Sequence, residues 1–422
     1  MSRGSRLIGE DAPLVDVTLP HGLRVVVDAM PGRATLSAQL RWPLGTVGDP
    51  DDALGTAVVL HEWLQRGAGG LDARAQADAF DRYGAQRGGG VGREHASLGF
   101  ACQARDAAAV LPLLAASLWA PRLDEAEFEG ARQLALQELA ALADAPAERL
   151  SEAAVAARYA GAHGRGAYGR RSHLGRLRPD AVRRQATERL VPDGAVLALA
   201  GGGEAEALVD LAARAFGEWR GRAVPAPAPT VRRPRRRHLA GDGAQTQIAI
   251  LDAAVPPGGR GWTEQALAMA ALAGTSASRL WTEVRERRGL AYEVASGVRT
   301  QAGDAYRFTY AATTPSRAAE TVDVLRRELE RWREGIAEDE LRRARTWLRA
   351  NLLLDGEATG ARVARLASDV VRFGRPRPLA EVLAALEAPT VDDVNRFLAG
   401  RPPLAAAVLT MGPAVGGGGT RA

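Results

Sequence analysis

The stretch Ala223-Val-Pro-Ala-Pro-Ala-Pro-Thr-Val-Arg-Arg-Pro-Arg-Arg-Arg-His-Leu-Ala-Gly-Asp-Gly243 divides the chain. Alternating Ala-Pro favours an extended, semi-rigid connector, and five arginines follow within Arg232–Arg237. A short basic run without interleaved aromatics reads as a solvated linker rather than a phosphate-binding patch. On either side the sequence reads alike. Strand-like stretches come first: Leu23–Asp28 and Thr35–Trp42 before the break, Gln247–Leu251 after it. Each half then carries a helical segment, a glycine-containing loop and a further strand, Ser97–Cys102 or Tyr306–Ala311. Long amphipathic helices follow: Asp124–Ala143 in the first half, Arg317–Glu334 and Glu338–Leu354 in the second. The first half closes with a strand, Ala195–Ala200, and a helix, Ala205–Trp219. Strands mixed with paired long helices, without regular βαβ alternation, predict an α+β fold in duplicate, each copy a mainly antiparallel sheet with helices packed on one face. The expected domains are residues 1–222 and 242–412, joined by a linker at 223–241 and followed by a disordered tail at 413–422.

Composition removes several chemistries. All 55 basic residues are arginine, so no lysine serves a Schiff base, a P-loop or pyridoxal phosphate. The single Cys102 excludes a disulfide framework, a thiolate zinc site and an iron–sulfur cluster. A net charge of +5 is too small by itself to argue for nucleic acid. The N-terminal residues lack the apolar core of a signal peptide, and no uninterrupted apolar run is long enough to span a bilayer. The expected location is the cytoplasm.

Two polar residues stand where apolar ones belong. In Leu54–Arg66, Ala57, Leu60 and Leu64 recur at helical spacing, and His61 falls on their face. In the later helix, Phe128, Ala131, Ala135 and Leu142 form a stripe on which Glu138 also falls. A carboxylate on a buried face is costly unless it is paired or metal-bound. Spacing leaves two readings open: a metal or catalytic site, or a structural pair with a core histidine or arginine.

Taken in order, the motifs resemble the pitrilysin/insulinase-type zinc peptidases, the inverzincins, whose relatives include mitochondrial processing peptidase and bacterial half-size proteins. Leu19-Pro-His-Gly-Leu-Arg-Val25 is similar to the family's opening strand, and Gly45–Gly55 to its approach to the metal helix. His163-Gly-Arg-Gly-Ala-Tyr-Gly169 and Val191-Pro-Asp-Gly-Ala-Val-Leu197 match later signatures. Ser278-Arg-Leu-Trp-Thr-Glu-Val-Arg-Glu-Arg-Arg-Gly-Leu-Ala-Tyr292 is the strongest match.

The resemblance implies a helix bearing His-x-x-Glu-His, with two imidazoles one turn apart on zinc, a glutamate between them as general base, and a downstream glutamate as third ligand. Aligned through its flanking glycines, this chain has Val58 at the first histidine, His61 at the glutamate and Glu62 at the second histidine, with Glu138 at the downstream position. Valine cannot bind zinc. Adjacent residues diverge by about 100° around a helix, so His61 and Glu62 do not readily serve one ion. A register that starts at His61 puts Gln65 one turn on. The metal site is therefore expected to be silent.

The family's substrate-binding arginine and tyrosine, seven residues apart, match Arg285 and Tyr292. Some bacterial relatives are heterodimers in which one subunit carries the zinc motif and the other the Arg/Tyr pair, together enclosing a chamber where peptide adds to a sheet edge. The resemblance thus implies a non-catalytic, substrate-binding subunit with no cofactor of its own. Its partner would be a catalytic subunit with an intact His-x-x-Glu-His motif and zinc; its ligand would be a peptide, with no nucleic acid and no membrane. The alternatives are a scaffold subunit without peptide contact and an active zinc peptidase with unusual ligands. Lesser signals read as structural: Gly88–Arg93 as a turn before a strand, His95 and His173 as isolated residues, Trp63 as packing near the altered motif, and Gly67–Gly70 and Gly274 as turns and helix ends.

Overall fold

The computed structural model describes residues 14–232, 236–404 and 407–413. The expected tail beyond Pro413 and the middle of the arginine run, 233–235, lie outside these residues. The chain forms two compact units, and neither is continuous in sequence. The first takes residues up to Ala141, Gly166–Pro227 and Leu353–Val382; the second takes Leu142–Arg165, Ala228–Leu352 and residues from Leu383 onward. The sequence boundaries at 222 and 242 thus follow chain order, whereas each unit borrows a segment from the other half of the sequence.

The first unit is built on a six-stranded sheet in the order Val15–Thr18, Arg24–Ala29, Val196–Gly201, Thr35–Trp42, Ala96–Gln103, Gln86–Val91. Only Arg24–Ala29 and Val196–Gly201 run parallel. Alternation sends Val25, Val27, Leu197 and Leu199 to one face, where they join the main core with Ala57, Leu60 and Leu64 of the Thr56–Leu64 helix. Val26, Val196, Ala198 and Ala200 point to the other face. The expectation had helices on one face only. The second face is covered as well, by the Thr359–Phe373 helix through Val363, Leu366, Ala367 and Val370. A strand buried on both faces needs apolar residues at every position, which Val25-Val-Val27 and Val196–Ala200 supply. Arg362 on this helix donates to buried Asp28 at 2.8 Å, and the Thr359 and Ser37 hydroxyls lie 2.8 Å apart.

The second unit repeats this plan with five strands: Arg237–Ala240, Ala407–Gly412, Thr246–Ala253, Asp304–Thr313, Glu293–Gln301. Again only the first two run parallel. Ile248, Ile250, Ala311 and Val408 face one core, and Ala249, Leu251, Phe308 and Leu409 face the other. The second face is covered by the Pro146–Arg158 helix through Leu150, Ala154 and Val155. The two covering helices are therefore exchanged: each comes from the half of the sequence that does not build the sheet it covers. The expected linker is partly structured. Thr230–Val231 pairs with Tyr159–Ala160, and Arg237 opens a strand of the second sheet.

Candidate functional site

The Thr56–Leu64 helix starts behind Gly55, whose φ of 104° is left-handed and favours glycine. Asp49 provides the cap that Gly55 cannot, accepting from the Gly55 and Ala57 N–H groups at 2.8 and 2.9 Å. Burial pushes the Asp49 carboxyl up to about 6, against the opposing effects of those N–H groups and Arg189.

Val58 is buried on this helix. His61, only 3% exposed, donates from Nε2 to the Ser97 carbonyl at 2.9 Å and stacks on Trp42. Its Nδ1 lies 3.7 Å from the Glu62 carboxylate. The His61 imidazole holds the Glu62 carboxyl below its ordinary range, although burial acts the other way. Glu138 departs from the sequence expectation. The Glu125–Ala141 helix buries Phe128, Ala131 and Ala135, while Leu134 and Glu138 are exposed; Glu138 lies only about 20° around the helix from Ala131, but near the helix end. Leu142 falls in a following 3₁₀ turn. Desolvation, then the charge of Glu62, raises the Glu138 carboxyl. Trp63 packs edge-on against Phe128 and donates to the Asp124 carbonyl at 3.0 Å, a core role.

These residues do not fit a zinc ion. Val58 has no donor atom, the Nε2 of His61 is committed to a carbonyl, and among the described residues no three His, Cys, Asp or Glu side chains converge as a metal site.

The other motif forms a compact constellation in the second unit. Arg285 lies in a six-residue π-helical turn, Trp281–Glu286, and Tyr292 immediately precedes the edge strand Glu293–Gln301. Arg285 Nη1 donates to the Tyr292 carbonyl at 2.9 Å. The guanidinium lies between two rings, 4.1 Å from the Trp281 centroid and 4.2 Å from that of Tyr292. Tyr292 is 78% exposed, so the stack borders solvent. Sequence reasoning missed Trp281, although its place four residues before Arg285, on the same helix face, was available as a signal.

The lesser motifs settle as structure. Gly88–Gly90 lie within the Gln86–Val91 edge strand, and Gly92 and Arg93 fall in the expected turn, before the Ala96–Gln103 strand. His173 Nδ1 accepts from the Leu54 N–H at 3.1 Å, and burial lowers the His95 imidazole to about 4. Gly69 and Gly70 turn the chain between two short paired strands, and Gly274 ends the Trp262–Ala273 helix.

A duplicated α+β architecture of this plan is that of a peptidase-like protein. Residues 176–348 match the family described as Peptidase M16 inactive domain. The chain is 30% identical over 390 residues to an uncharacterized zinc protease of Mycobacterium tuberculosis (strain H37Rv), covering 90% of this chain and 88% of that protein. A Mycobacterium leprae uncharacterized zinc protease is 28% identical, covering 93% and 90%. Among solved structures, a peptidase M16 inactive domain from Pseudomonas fluorescens has a similar fold, with a TM-score of 0.87 at 18% identity over 96% of this chain and 98% of that one. The chain belongs to the M16, or pitrilysin/insulinase-type, zinc peptidase family. No helix among the described residues is long and apolar enough to cross a membrane.

Proposed function

We propose that this chain is a non-catalytic, substrate-binding subunit that works with a separate M16 subunit bearing an intact His-x-x-Glu-His motif and its zinc. The contrast between the two motif regions carries this reading. Val58 and the committed imidazole of His61 leave the metal helix without a ligand set, whereas Arg285 is held in a fixed pose beside exposed Tyr292. A guanidinium has five N–H donors, and one is used on the Tyr292 carbonyl. The remaining donors and the Tyr292 hydroxyl suit the carbonyls of an extended peptide. The partner's zinc would supply the activated water; this chain would bind and orient the peptide. A lone, buried Cys102 accords with a cytoplasmic setting.

Elemental analysis and reconstitution test the proposal. The purified chain is expected to hold no stoichiometric zinc and to cleave no peptide alone, and to raise cleavage by an intact-motif partner. One tightly bound zinc per chain, with activity lost on Glu138→Ala, would show an active peptidase instead. Stimulation unchanged by both Arg285→Ala and Tyr292→Phe would leave only a scaffold role.

A further inference from the structure

The two sheets share one plan but differ at one edge. In the first unit Val15–Thr18 lies antiparallel outside Arg24–Ala29, and Asp16 of that outer strand receives two hydrogen bonds from Arg24, at 2.7 and 2.6 Å. The counterpart of Arg24–Ala29 in the second unit is Arg237–Ala240, which among the described strands pairs only with Ala407–Gly412. Beside it runs a groove of about 530 Å³. Val322 and Val408 contribute apolar lining, while Arg236, Arg237 and His238 outnumber the single carboxylate there, Asp323. His238 Nδ1 lies 2.9 Å from the Thr410 hydroxyl, which places the imidazole on the face that carries Val408. Thr246, 1% exposed, also lines the groove, and its hydroxyl has no hydrogen-bond partner among the described residues.

We propose that the Arg237–Ala240 edge and this groove dock an acidic, extended segment of a partner polypeptide, added antiparallel as a sixth strand. The first unit fills the equivalent slot with a strand whose carboxylate pairs with an arginine of its neighbour. The second unit offers the same slot with two arginines and a histidine. An edge strand presents backbone donors and acceptors to such a segment, and alternate side chains of the segment would enter the groove. Tyr292 leads into Glu293–Gln301, the opposite edge of the same sheet, so this surface is separate from the Arg285–Tyr292 site and does not rest on its role.

The test is fluorescence anisotropy of the full chain with a labelled peptide of alternating valine and aspartate, six residues long. Saturable binding is expected, weakened at least about tenfold by Arg236→Glu with Arg237→Glu. It should also weaken on N-methylation of alternate peptide amides, which removes ladder donors while keeping charge. The matching valine–lysine peptide should not bind. Both arginines are exposed, so the variant should keep its melting temperature. Absence of saturable binding would overturn the proposal, as would binding indifferent to N-methylation, which would be charge adherence alone. Self-association of the Arg236→Ser, Arg237→Ser variant without any peptide binding would also overturn it, since the arginines would then only guard the edge.

Discussion

Arg285 and Tyr292 are joined twice: the guanidinium donates to the tyrosine's carbonyl at 2.9 Å and lies 4.2 Å from its ring centroid. Trp281 closes the other side of the guanidinium at 4.1 Å. The seven-residue spacing is thus a contact, in which a planar cation is held between two aromatic faces before any ligand arrives. Fixing that long side chain in advance lowers the entropy lost on binding.

Substitutions here should separate cation, ring and hydroxyl. Arg285→Lys keeps the charge but loses the planar fork and its stacking, and kcat/KM of the reconstituted pair should fall about tenfold or more. Tyr292→Phe keeps the ring and the carbonyl, so the loss should be smaller, within about tenfold. Both variants should melt within about 2 °C of the wild type, because the site borders solvent. A large drop in melting temperature with unchanged kinetics would instead mark the pair as structural.

The metal helix should be repairable. Combining Val58→His, His61→Glu and Glu62→His restores two imidazoles one turn apart, with Glu138 still on the neighbouring helix packed against this one. Elemental analysis should then find zinc approaching one per chain, against none for the wild type. If the triple variant takes up no zinc, Glu138 does not occupy a ligand position and the alignment through the flanking glycines fails. The exchange also removes the His61–Ser97 hydrogen bond, so apo stability should fall by about 1–2 kcal/mol.

Much of this was legible in the sequence, for identifiable reasons. Strands such as Thr35–Trp42 matched their expected span because apolar residues and turn residues bound them closely. The π-helical turn around Arg285 was hidden, since a local change of helix pitch is not encoded in period, whereas the Trp281 platform could have been read from its i, i+4 spacing. Glu138 shares the angular sector of the buried stripe yet is exposed, since the helix ends at Ala141 and Leu142, taken as part of the stripe, lies in the following 3₁₀ turn. The exchange of the Pro146–Arg158 and Thr359–Phe373 helices had no local signal. Each is amphipathic, and amphipathicity does not say which sheet a helix will cover.

A buried ion pair joins one of these helices to the sheet it covers. Asp28 is 2% exposed and accepts from Arg362 of the Thr359–Phe373 helix at 2.8 Å. Asp28→Ala removes the buried carboxylate that Arg362 donates to and should cost about 3–5 kcal/mol in urea unfolding. Replacing both residues together, Asp28→Leu with Arg362→Met, should recover most of that loss. If Asp28→Ala costs less than about 1 kcal/mol, Arg362 has found another partner and the pair does not fix the helix.

Asp49 gives the chain a stability term of unusual sign. Its carboxyl is raised from 3.8 to about 6, with burial as the main cause, so between those values the folded state binds more protons than the unfolded one. Stability from this group is therefore greatest at low pH and declines as pH rises from about 4 to about 6, by up to about 1.4 kcal/mol per pH unit. Asp49→Asn keeps an acceptor for the Gly55 or Ala57 N–H but does not titrate. The wild-type stability minus that of the variant should fall across this window and level off above about pH 7. Should the difference rise with pH instead, attraction to Arg189 and the two capping hydrogen bonds would outweigh burial, and the carboxylate would be the favoured form in the fold.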